Sequence, residues 1–481
     1  MSEHAPVPDG ESIYDDSDTS SGRSAVRIAS VAALGGFLFG YDSAVINGAV
    51  SAIETRFEVG SASLGFAVAS ALLGAAAGAI YAGRLADRVG RLAVMKLAAV
   101  LFFVSALGAG FAQSLWMLVV FRIVGGLGVG AASVIAPAYI AEIAPSAIRG
   151  RLGSLQQLAI VTGIFCSLLV DYLFANAAGS SRDTLWFGLE AWRWMFLAMA
   201  VPAVAYGVLS LTIPESPRYL IATHKIPEAR RVLSTLLGQR NLEVRIDRIQ
   251  RSLHSEKKPS MADLKGPALG LMPIVWVGIL LSIFQQFVGI NVIFYYSNVL
   301  WEAVGFSESD SFKITVITSV VNILTTLIAI ATVDKVGRKP LLLIGSVGMT
   351  ISLAVMAFVF QTADVVTVDG VATPQLGDAA GVAALIAANV FVIAFGMSWG
   401  PIVWVLLGET FPNRVRAAAL ALAAGAQWVA NWIVTVTFPS LRDVSLGMTY
   451  GIYAVFAALS FVFVLKWVRE TKGVELEDMP E

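Results

Sequence analysis

Long apolar stretches separated by short polar segments recur along almost the whole chain. Each holds about 20 residues, the length of helix that crosses a hydrocarbon core of roughly 30 Å. The pattern predicts twelve membrane-spanning helices. The predicted spans are residues 27–50, 63–82, 93–112, 115–140, 154–176, 194–213, 267–300, 312–333, 340–361, 381–407, 416–438 and 447–467.

The composition supports a chain that resides in lipid. Of its 481 residues, 57% are hydrophobic and 14% are charged, which is too apolar for a soluble surface. A net charge of -1 argues against a nucleic-acid partner. Since Cys166 is the lone cysteine, no intramolecular disulfide and no cysteine-based metal site can form. With no nucleophile paired to a base and no phosphate-cradling loop, we expect neither an enzyme nor a cofactor.

The polar segments divide the chain into two bundles. Residues 1–24 are acidic and Ser-rich and lack the features of a secretory signal, so we expect a disordered cytoplasmic tail. Residues 25–213 form a first six-helix bundle and 267–468 a second. The charged linker 214–266 is predicted to form short amphipathic helices on the membrane surface, and 469–481 a cytoplasmic tail. The expected fold is an all-α membrane protein with a short helical domain between two halves.

The distribution of Lys and Arg sets the orientation of the spans. Cations such as Arg88, Arg149, Lys335 and Arg414 lie in the short loops on the side of the N-terminus, and the opposite loops are nearly bare. Because cations are retained on the cytoplasmic side, we predict that both termini are cytoplasmic and that the chain lies in the cytoplasmic membrane.

The two halves carry an internal repeat. The run GRLADRVGR at 83–91 recurs as TVDKVGRK at 332–339, and AEIAPSAIRG at 141–150 recurs as GETFPNRVRA at 408–417. Repeated halves packed face to face around a site at the membrane midplane are the architecture of many secondary carriers. The repeat therefore predicts two pseudo-symmetric halves of a transporter.

Charged residues of the repeated runs and of the linker form a predicted ionic cluster on the inner face of each half. Asp87 with Arg91, and Asp334 with Arg338, lie one helical turn apart and are expected to pair locally. The same pattern in both halves also favours a latch that joins the halves in one state and separates in another. The candidate residues are Arg84, Asp87, Arg91, Glu142, Arg149, Glu215, Asp334, Arg338, Glu409 and Arg416.

Two charged side chains fall inside predicted spans, where they are functional candidates. Asp42 lies about 15 residues into the outward-running first span, and Arg122 about seven residues into the inward-running fourth, so their predicted depths agree. One interpretation is a static salt bridge. The other is a proton site, because a buried carboxyl beside a cation can load and release a proton when its surroundings change. Arg122 cannot deprotonate, so Asp42 is the candidate proton carrier.

The seventh span carries a cluster of amides in the run FQQFVGINVIFYYSN. Amides suit sugars because they donate and accept hydrogen bonds as hydroxyls do. On a straight helix Gln286 and Asn291 would diverge by about 140°. A break at Gly289 would allow both to face one ligand. Hydrogen bonds between helices without any ligand are the alternative. Further polar or aromatic candidates inside spans are Gln156, Gln157, Asn322, Trp404, Gln427, Trp428, Asn431 and Trp432.

From Ile28 to about Glu475 the chain resembles the sugar porter family of the major facilitator superfamily. The resemblance is carried by GRLADRVGR, PAYIAEIAPSAIRG, PESPRYL, QQFVGINVIFYY, VDKVGRKP, GPIVWVLLGETFP and RETKG, in the family order. It departs from the family pattern at Leu92, Thr332 and Arg469, which bear on the inner latch. The resemblance implies a sugar site formed by Gln157, Gln285, Gln286, Asn291, Asn322, Trp404, Gln427 and Trp428, and lined by Phe39 and Tyr295.

The resemblance also suggests a function. Asp42 occupies the position at which the family's proton symporters have Asp and its facilitative carriers have Asn. Ile164 and Phe294 resemble the apolar lining of glucose carriers. We therefore expect a monomeric importer of D-glucose with a proton by alternating access, in contact with membrane lipid. The alternatives are a facilitative uniporter, a symporter for xylose, galactose or inositol, and a sugar sensor that moves no substrate.

Overall fold

The computed structural model describes residues 19–144, 149–237, 242–255, 261–368, 371–411 and 415–471. Within these residues, 12 helical segments are long and apolar enough to cross a membrane. The predicted fold class is confirmed. The spans are Arg23–Phe57, Ser61–Val89, Arg91–Gly110, Leu115–Ile143, Ser154–Ala178, Ala191–Leu209, Pro273–Glu302, Glu308–Thr332, Arg338–Gln361, Asp378–Leu407, Ala418–Val444 and Leu446–Trp467.

Several spans consist of two helices because the backbone breaks within the membrane. The helices are α1 (Thr19–Phe57), α2 (Ser61–Val89), α3 (Arg91–Gly110), α4 (Leu115–Ile143), α5 (Arg149–Ala178), α6 (Ala191–Ala198), α7 (Ala200–Leu209), α8 (Pro217–Ala222), α9 (Ile226–Leu237), α10 (Leu242–Ser255), α11 (Pro273–Phe287), α12 (Ile290–Glu302), α13 (Glu308–Val336), α14 (Arg338–Gln361), α15 (Asp378–Gly396), α16 (Trp399–Thr410), α17 (Arg416–Val444) and α18 (Leu446–Trp467). The sixth, seventh and tenth spans are the broken ones.

The two halves repeat one packing scheme. In the first half α1 packs on α5, and α3 packs on α6 and α7; in the second half α11 packs on α17, and α14 on α18. The halves meet where α1 contacts α12, α2 contacts α17 and α5 contacts α13. These pairings agree with the pseudo-symmetry that the sequence repeat predicts.

Small residues allow the closest helix contacts. A Cβ added at Gly126 would lie 2.0 Å from the backbone oxygen of Ala71, and one at Gly130 would lie 2.1 Å from that of Ala75. The backbones of α2 and α4 therefore touch, and van der Waals contact replaces the hydrophobic driving force that lipid does not supply.

The linker contains short helices, α8 to α10, followed by a 3-10 turn at Met261–Leu264. Apolar residues of these helices bury one another in a small core of Leu220, Ile221, Ala229, Leu233 and Ile246. The linker is thus a small helical layer with a core separate from that of the bundles.

The predicted disordered tail 1–24 is too long. Residues from Thr19 onward already belong to α1, and 1–18 lie outside the described residues. Hydropathy reports only the part of a helix that lies in lipid, whereas α1 continues beyond it through polar residues such as Arg23, which is exposed. Two short antiparallel hairpins also occur in loops between spans. They are β1 (Thr184–Trp186) with β2 (Leu189–Glu190), and β3 (Asp364–Val368) with β4 (Val371–Gln375).

Candidate functional site

Asp42 and Arg122 meet inside the first half, as their predicted depths require. Both are buried, with 1% and 2% of their side-chain surface exposed. Arg122 Nη1 donates to the backbone oxygen of Asp42 at 2.8 Å and lies 3.6 Å from its Oδ2. Neither carboxylate oxygen of Asp42 accepts a hydrogen bond from the described part of the protein. The guanidinium is thus anchored on the backbone, and the carboxylate stays available to a proton.

A cavity of about 10 Å³ adjoins this pair. Asp42, Arg122 and Tyr295 contribute to its lining, together with apolar side chains of α2 and α4. The volume is that of roughly one water molecule. The Tyr295 side chain also lies close to the side chains of Ser43 on α1 and Asn431 on α17. Tyr295 therefore connects the buried ion pair of one half with polar groups of the other half.

The seventh span breaks at the predicted position. Gly289 has a φ of 84°, a left-handed conformation that L side chains rarely adopt, and it separates α11 from α12. The break brings Gln286 and Asn291 together, so that Asn291 Nδ2 donates to Gln286 Oε1 at 2.5 Å. This contact leaves the Gln286 amide nitrogen and the Asn291 amide oxygen for a ligand.

Gln285 hydrogen-bonds the backbone at a second helix break, between α15 and α16. Its Nε2 donates to the backbone oxygens of Trp399 and Gly400 at 2.9 and 3.1 Å. Its Oε1 is buried and has no hydrogen-bond partner among the described residues. Because the amide is held by its nitrogen, its oxygen is fixed as an acceptor beside two broken helices. Broken spans of this kind form ligand sites in secondary carriers.

The remaining predicted sugar-site residues are on several helices around the interface of the halves. Phe39 on α1 and Gln157 and Ile164 on α5 are half-buried, as are Asn322 on α13 and Gln427 and Trp428 on α17. Phe294 is buried at 6% exposure, and Trp404 on α16 is exposed at 47%. Within the described residues, no hydrogen bond joins Gln157, Asn322 or Gln427 directly to the amides of the α11–α12 break. Gln427 Oε1 is buried without a hydrogen-bond partner among the described residues. The same is true of both side-chain amide atoms of Gln156, which precedes Gln157 on α5.

The ionic cluster of the first half joins two turns of the bundle to the linker. Arg91 forms a bidentate pair with Glu142, at 3.1 Å from Nε and 2.9 Å from Nη2, and lies 3.1 Å from Asp87. The Glu215 carboxylate accepts from the backbone nitrogens of Arg91 and Leu92 at 3.0 and 3.2 Å. Glu215 therefore caps the N-terminus of α3, where the helix dipole favours an anion.

The second half repeats this cluster in detail. Arg338 pairs with Glu409 at 3.1 Å from Nε and 2.8 Å from Nη2. Glu470 accepts from the backbone nitrogens of Arg338 and Lys339, both at 3.0 Å, and caps α14 as Glu215 caps α3. The glycine before each arginine has a positive φ, 99° at Gly90 and 105° at Gly337.

In this conformation, each described ion pair of these clusters joins two residues of the same half. The local pairing of Asp87 with Arg91 is confirmed. Arg84 is exposed. The predicted partners Arg149, Asp334 and Arg416 have side chains outside the part that the structure describes. The latch between the halves therefore stays a prediction.

Polar contacts join the two halves at the opposite end of the bundle, where α1 ends and α2 begins, here called the outer end. Asn47 on α1 donates to the backbone oxygen of Phe294 at 3.1 Å and accepts from the backbone nitrogen of Asn298 at 3.0 Å. Ser51 donates to Glu302 at 3.3 Å, and Arg442 lies 3.5 Å from Glu54. The outer end is thus closed.

Sequence reasoning missed several of these residues. Asn47 stands in the same run as Asp42, and its position in an apolar span was the available signal. Glu470 matches Glu215, since each precedes a hydroxyl residue, Ser216 or Thr471, after the last span of its half. Asp171 on α5 is a further buried carboxylate inside a span. Its signal in the sequence is a carboxylate in the apolar run of the fifth span.

These features define a membrane carrier with two repeated halves, broken helices at their interface and a buried ion pair. The chain belongs to the sugar (and other) transporter family, whose model matches residues 28–481. The predicted family and the predicted absence of enzymatic function are confirmed by this match.

Similar proteins cover nearly the whole chain. A glucose transport protein of Synechocystis is 56% identical over 94% of this chain and 96% of its own length. A D-xylose-proton symporter of Escherichia coli is 38% identical over 94% of both chains. An inward open structure of the xylose transporter from E. coli superposes with a TM-score of 0.79 at 38% identity, and covers 94% of this chain and 98% of that one.

Proposed function

We propose that this protein imports D-glucose together with a proton by alternating access. The observation that carries the proposal is the buried Asp42 carboxylate, which accepts no hydrogen bond from the described residues although Arg122 Nη1 lies 3.6 Å away. Such a carboxyl changes its protonation readily when its distance to the cation changes. The symporters of xylose and arabinose among the relatives, and the 56% identical glucose transport protein, support a coupled sugar carrier.

The geometry suggests how the proton and the sugar are linked. With the outer end open, Asp42 takes a proton and sugar binds the amides beside the α11–α12 break. Closure then forms the contacts of Asn47 with α12. Tyr295 lines the cavity at Asp42 and lies close to Asn431, so a movement of its ring couples protonation of Asp42 to the sugar site. Release of both substrates follows at the inner end.

Buried amide oxygens without hydrogen-bond partners among the described residues support a substrate with several hydroxyl groups. Gln285 and Gln427 each offer a buried oxygen without a partner in the described residues, and sugar hydroxyls are suitable donors to them. An unpaired buried acceptor is unfavourable, so substrate or water must satisfy it. The apolar side chains Ile164 and Phe294 favour a hexose over a pentose in this proposal.

We also propose that the working unit is one chain in the cytoplasmic membrane, with both termini in the cytoplasm. The Lys and Arg of the short loops at the end opposite the outer end support this orientation. Labelling of single cysteines introduced near Glu470 and at the hairpin residue Phe187 from either side of sealed cells tests it. Labelling of the Phe187 position from inside alone would contradict it.

Transport by purified protein in liposomes tests the function. Glucose added outside should acidify the lumen of vesicles that contain a pH-sensitive dye, and unlabelled glucose should outcompete xylose, galactose and inositol in counterflow. Glucose entry without any pH change would show a uniporter. Glucose binding without entry would show a sensor.

A further inference from the structure

Asp171 is a second carboxylate buried in the first half. It lies on α5, inside the span Ser154–Ala178, and its side chain has 0% exposure. Neither of its carboxylate oxygens has a hydrogen-bond partner among the described residues. Ionisable groups inside membrane spans are costly and mark functional positions by default. Asp171 therefore needs an explanation that packing does not give.

The carboxyl packs directly against the backbone of α1. A Cβ added at Gly48 would lie 2.6 Å from Asp171 Oδ2. Tyr41 on α1 is a titratable group close to Asp171, and its hydroxyl donates to the backbone oxygen of Met195 at 3.4 Å; Cys166 on α5 lies close to Tyr41 in turn. Both are neutral acids, and neither can balance a negative charge on Asp171.

The cations on the other helices that pack against α5 are engaged elsewhere. On α6, Arg193 binds Glu190 at 2.5 Å and the backbone oxygen of Ala112 at 2.6 Å. On α4, Arg122 binds Asp42. On α13, Lys313 pairs with Asp310 at 3.2 Å, and the carboxylate of Glu308 accepts from the backbone nitrogen of Ser181. A charged Asp171 would thus be buried without compensation, so the group holds a proton in this state.

The position of Asp171 links that proton to the opening of the outer end. Gly48, which covers the carboxyl, lies about 9 Å along α1 from Asp42, toward the outer end. Its neighbour Asn47 makes the contacts with Phe294 and Asn298 that close this end. When those contacts break, the segment of α1 that seals Asp171 is released from α12.

We propose that Asp171 is a second proton-binding residue of the transport cycle, which exchanges its proton with the outer solution when the outer end opens. The proposal rests on the proposed proton symport and adds a second proton to it. The simpler alternative is a carboxyl that stays protonated throughout the cycle and only fills space.

The test compares Asp171→Asn with the parent protein in liposomes. Asn keeps the shape of a protonated carboxyl but cannot release a proton. The ratio of protons to glucose, taken from the reversal of glucose flux against imposed pH gradients, should fall by about half in Asp171→Asn. The variant Asp183→Asn changes an exposed outer carboxylate and should keep the parent ratio. If Asp171→Asn has the same proton-to-glucose ratio as the parent protein, the proposal is overturned.

Infrared difference spectra give a readout that does not depend on coupling. The parent protein should show two C=O bands of protonated carboxyls that change when glucose drives the cycle, and Asp171→Asn should lose one of them while the band of Asp42 remains. If Asp171→Asn does not fold, Asp171→Ser serves the same comparison. If the C=O band of Asp171 does not change during the cycle, Asp171 keeps its proton throughout and the proposal is rejected. If the parent moves glucose without protons, the symport proposal fails, and the band still decides whether Asp171 exchanges a proton.

Discussion

Arg122 contacts Asp42 through the backbone more closely than through the side chain. Its Nη1 lies 2.8 Å from the Asp42 backbone oxygen and 3.6 Å from Oδ2. The backbone hydrogen bond holds the guanidinium at a fixed place, whereas the longer ion pair can lengthen or shorten with small movements of the carboxyl. A static structural bridge would be expected to use both carboxylate oxygens, as Arg91 and Arg338 do with their partners.

Asp42→Asn should separate exchange from accumulation. The amide keeps the size of the carboxyl but carries no proton, so labelled glucose should still exchange while uphill uptake against a gradient is lost. Counterflow and proton-driven uptake in the same liposomes measure the two activities. Gradient-driven accumulation that persists in Asp42→Asn would remove Asp42 from the coupling mechanism.

Gly289→Ala should weaken sugar binding. The φ of 84° disfavours any side chain, and the added Cβ would lie 2.6 Å from the Tyr453 ring, so the break that aligns Gln286 with Asn291 must shift. We expect KM for glucose to rise by about tenfold, or ~1.4 kcal/mol. Gly451→Ala on α18 is the matched control, because its Cβ would meet nothing within 4 Å. Equal KM values for both variants would contradict this role of the break.

Gln286 and Asn291 should act as one unit. Because Asn291 Nδ2 donates to Gln286 Oε1, removal of either amide releases the other, and the effects of Gln286→Ala and Asn291→Ala on glucose affinity should not add. A coupling of about 0.5 to 3 kcal/mol is expected from a double-mutant cycle. Isothermal titration or tryptophan quenching measures the affinities, and strict additivity would argue against a shared site.

Glu470→Gln should destabilise the second half as Glu215→Gln destabilises the first. Each substitution removes the negative charge that caps a helix N-terminus, which contributes about 1 kcal/mol or less at a partly exposed site. The thermal midpoint in detergent should fall for both variants, and glucose affinity should stay unchanged. Asp263→Asn, an exposed linker carboxylate, is the control. A loss of affinity without a loss of stability would assign these carboxylates to substrate binding.

Gly48→Ala should be destabilising in a manner that depends on Asp171. The added methyl group would crowd the carboxyl, and overpacking of this kind costs about 1 to 3 kcal/mol. Asp171→Ser shortens the side chain and should restore the thermal midpoint of Gly48→Ala. Gly60→Ala, with nothing within 4 Å, should have no such effect. Failure of Asp171→Ser to compensate would show that another contact sets the cost.

The class of fold, the number of spans and the candidate ion pair were predictable from the amino-acid sequence. Span length is set by the thickness of the bilayer, and a charge in an apolar run is evident without coordinates, so Asp42 and Arg122 could be matched by depth alone. The break at Gly289 was also predictable, because two amides on diverging faces need a bend to share a ligand.

The contacts between distant parts of the chain were not predictable and required the three-dimensional structure. Asn47 with Asn298, Gln285 with the α15–α16 break, and Glu470 with the start of α14 join segments far apart in sequence. No local pattern specifies such contacts, since they depend on how whole helices cross. The same holds for Asp171, which has no hydrogen-bond partner among the described residues because the cations on the helices around α5 bind other groups.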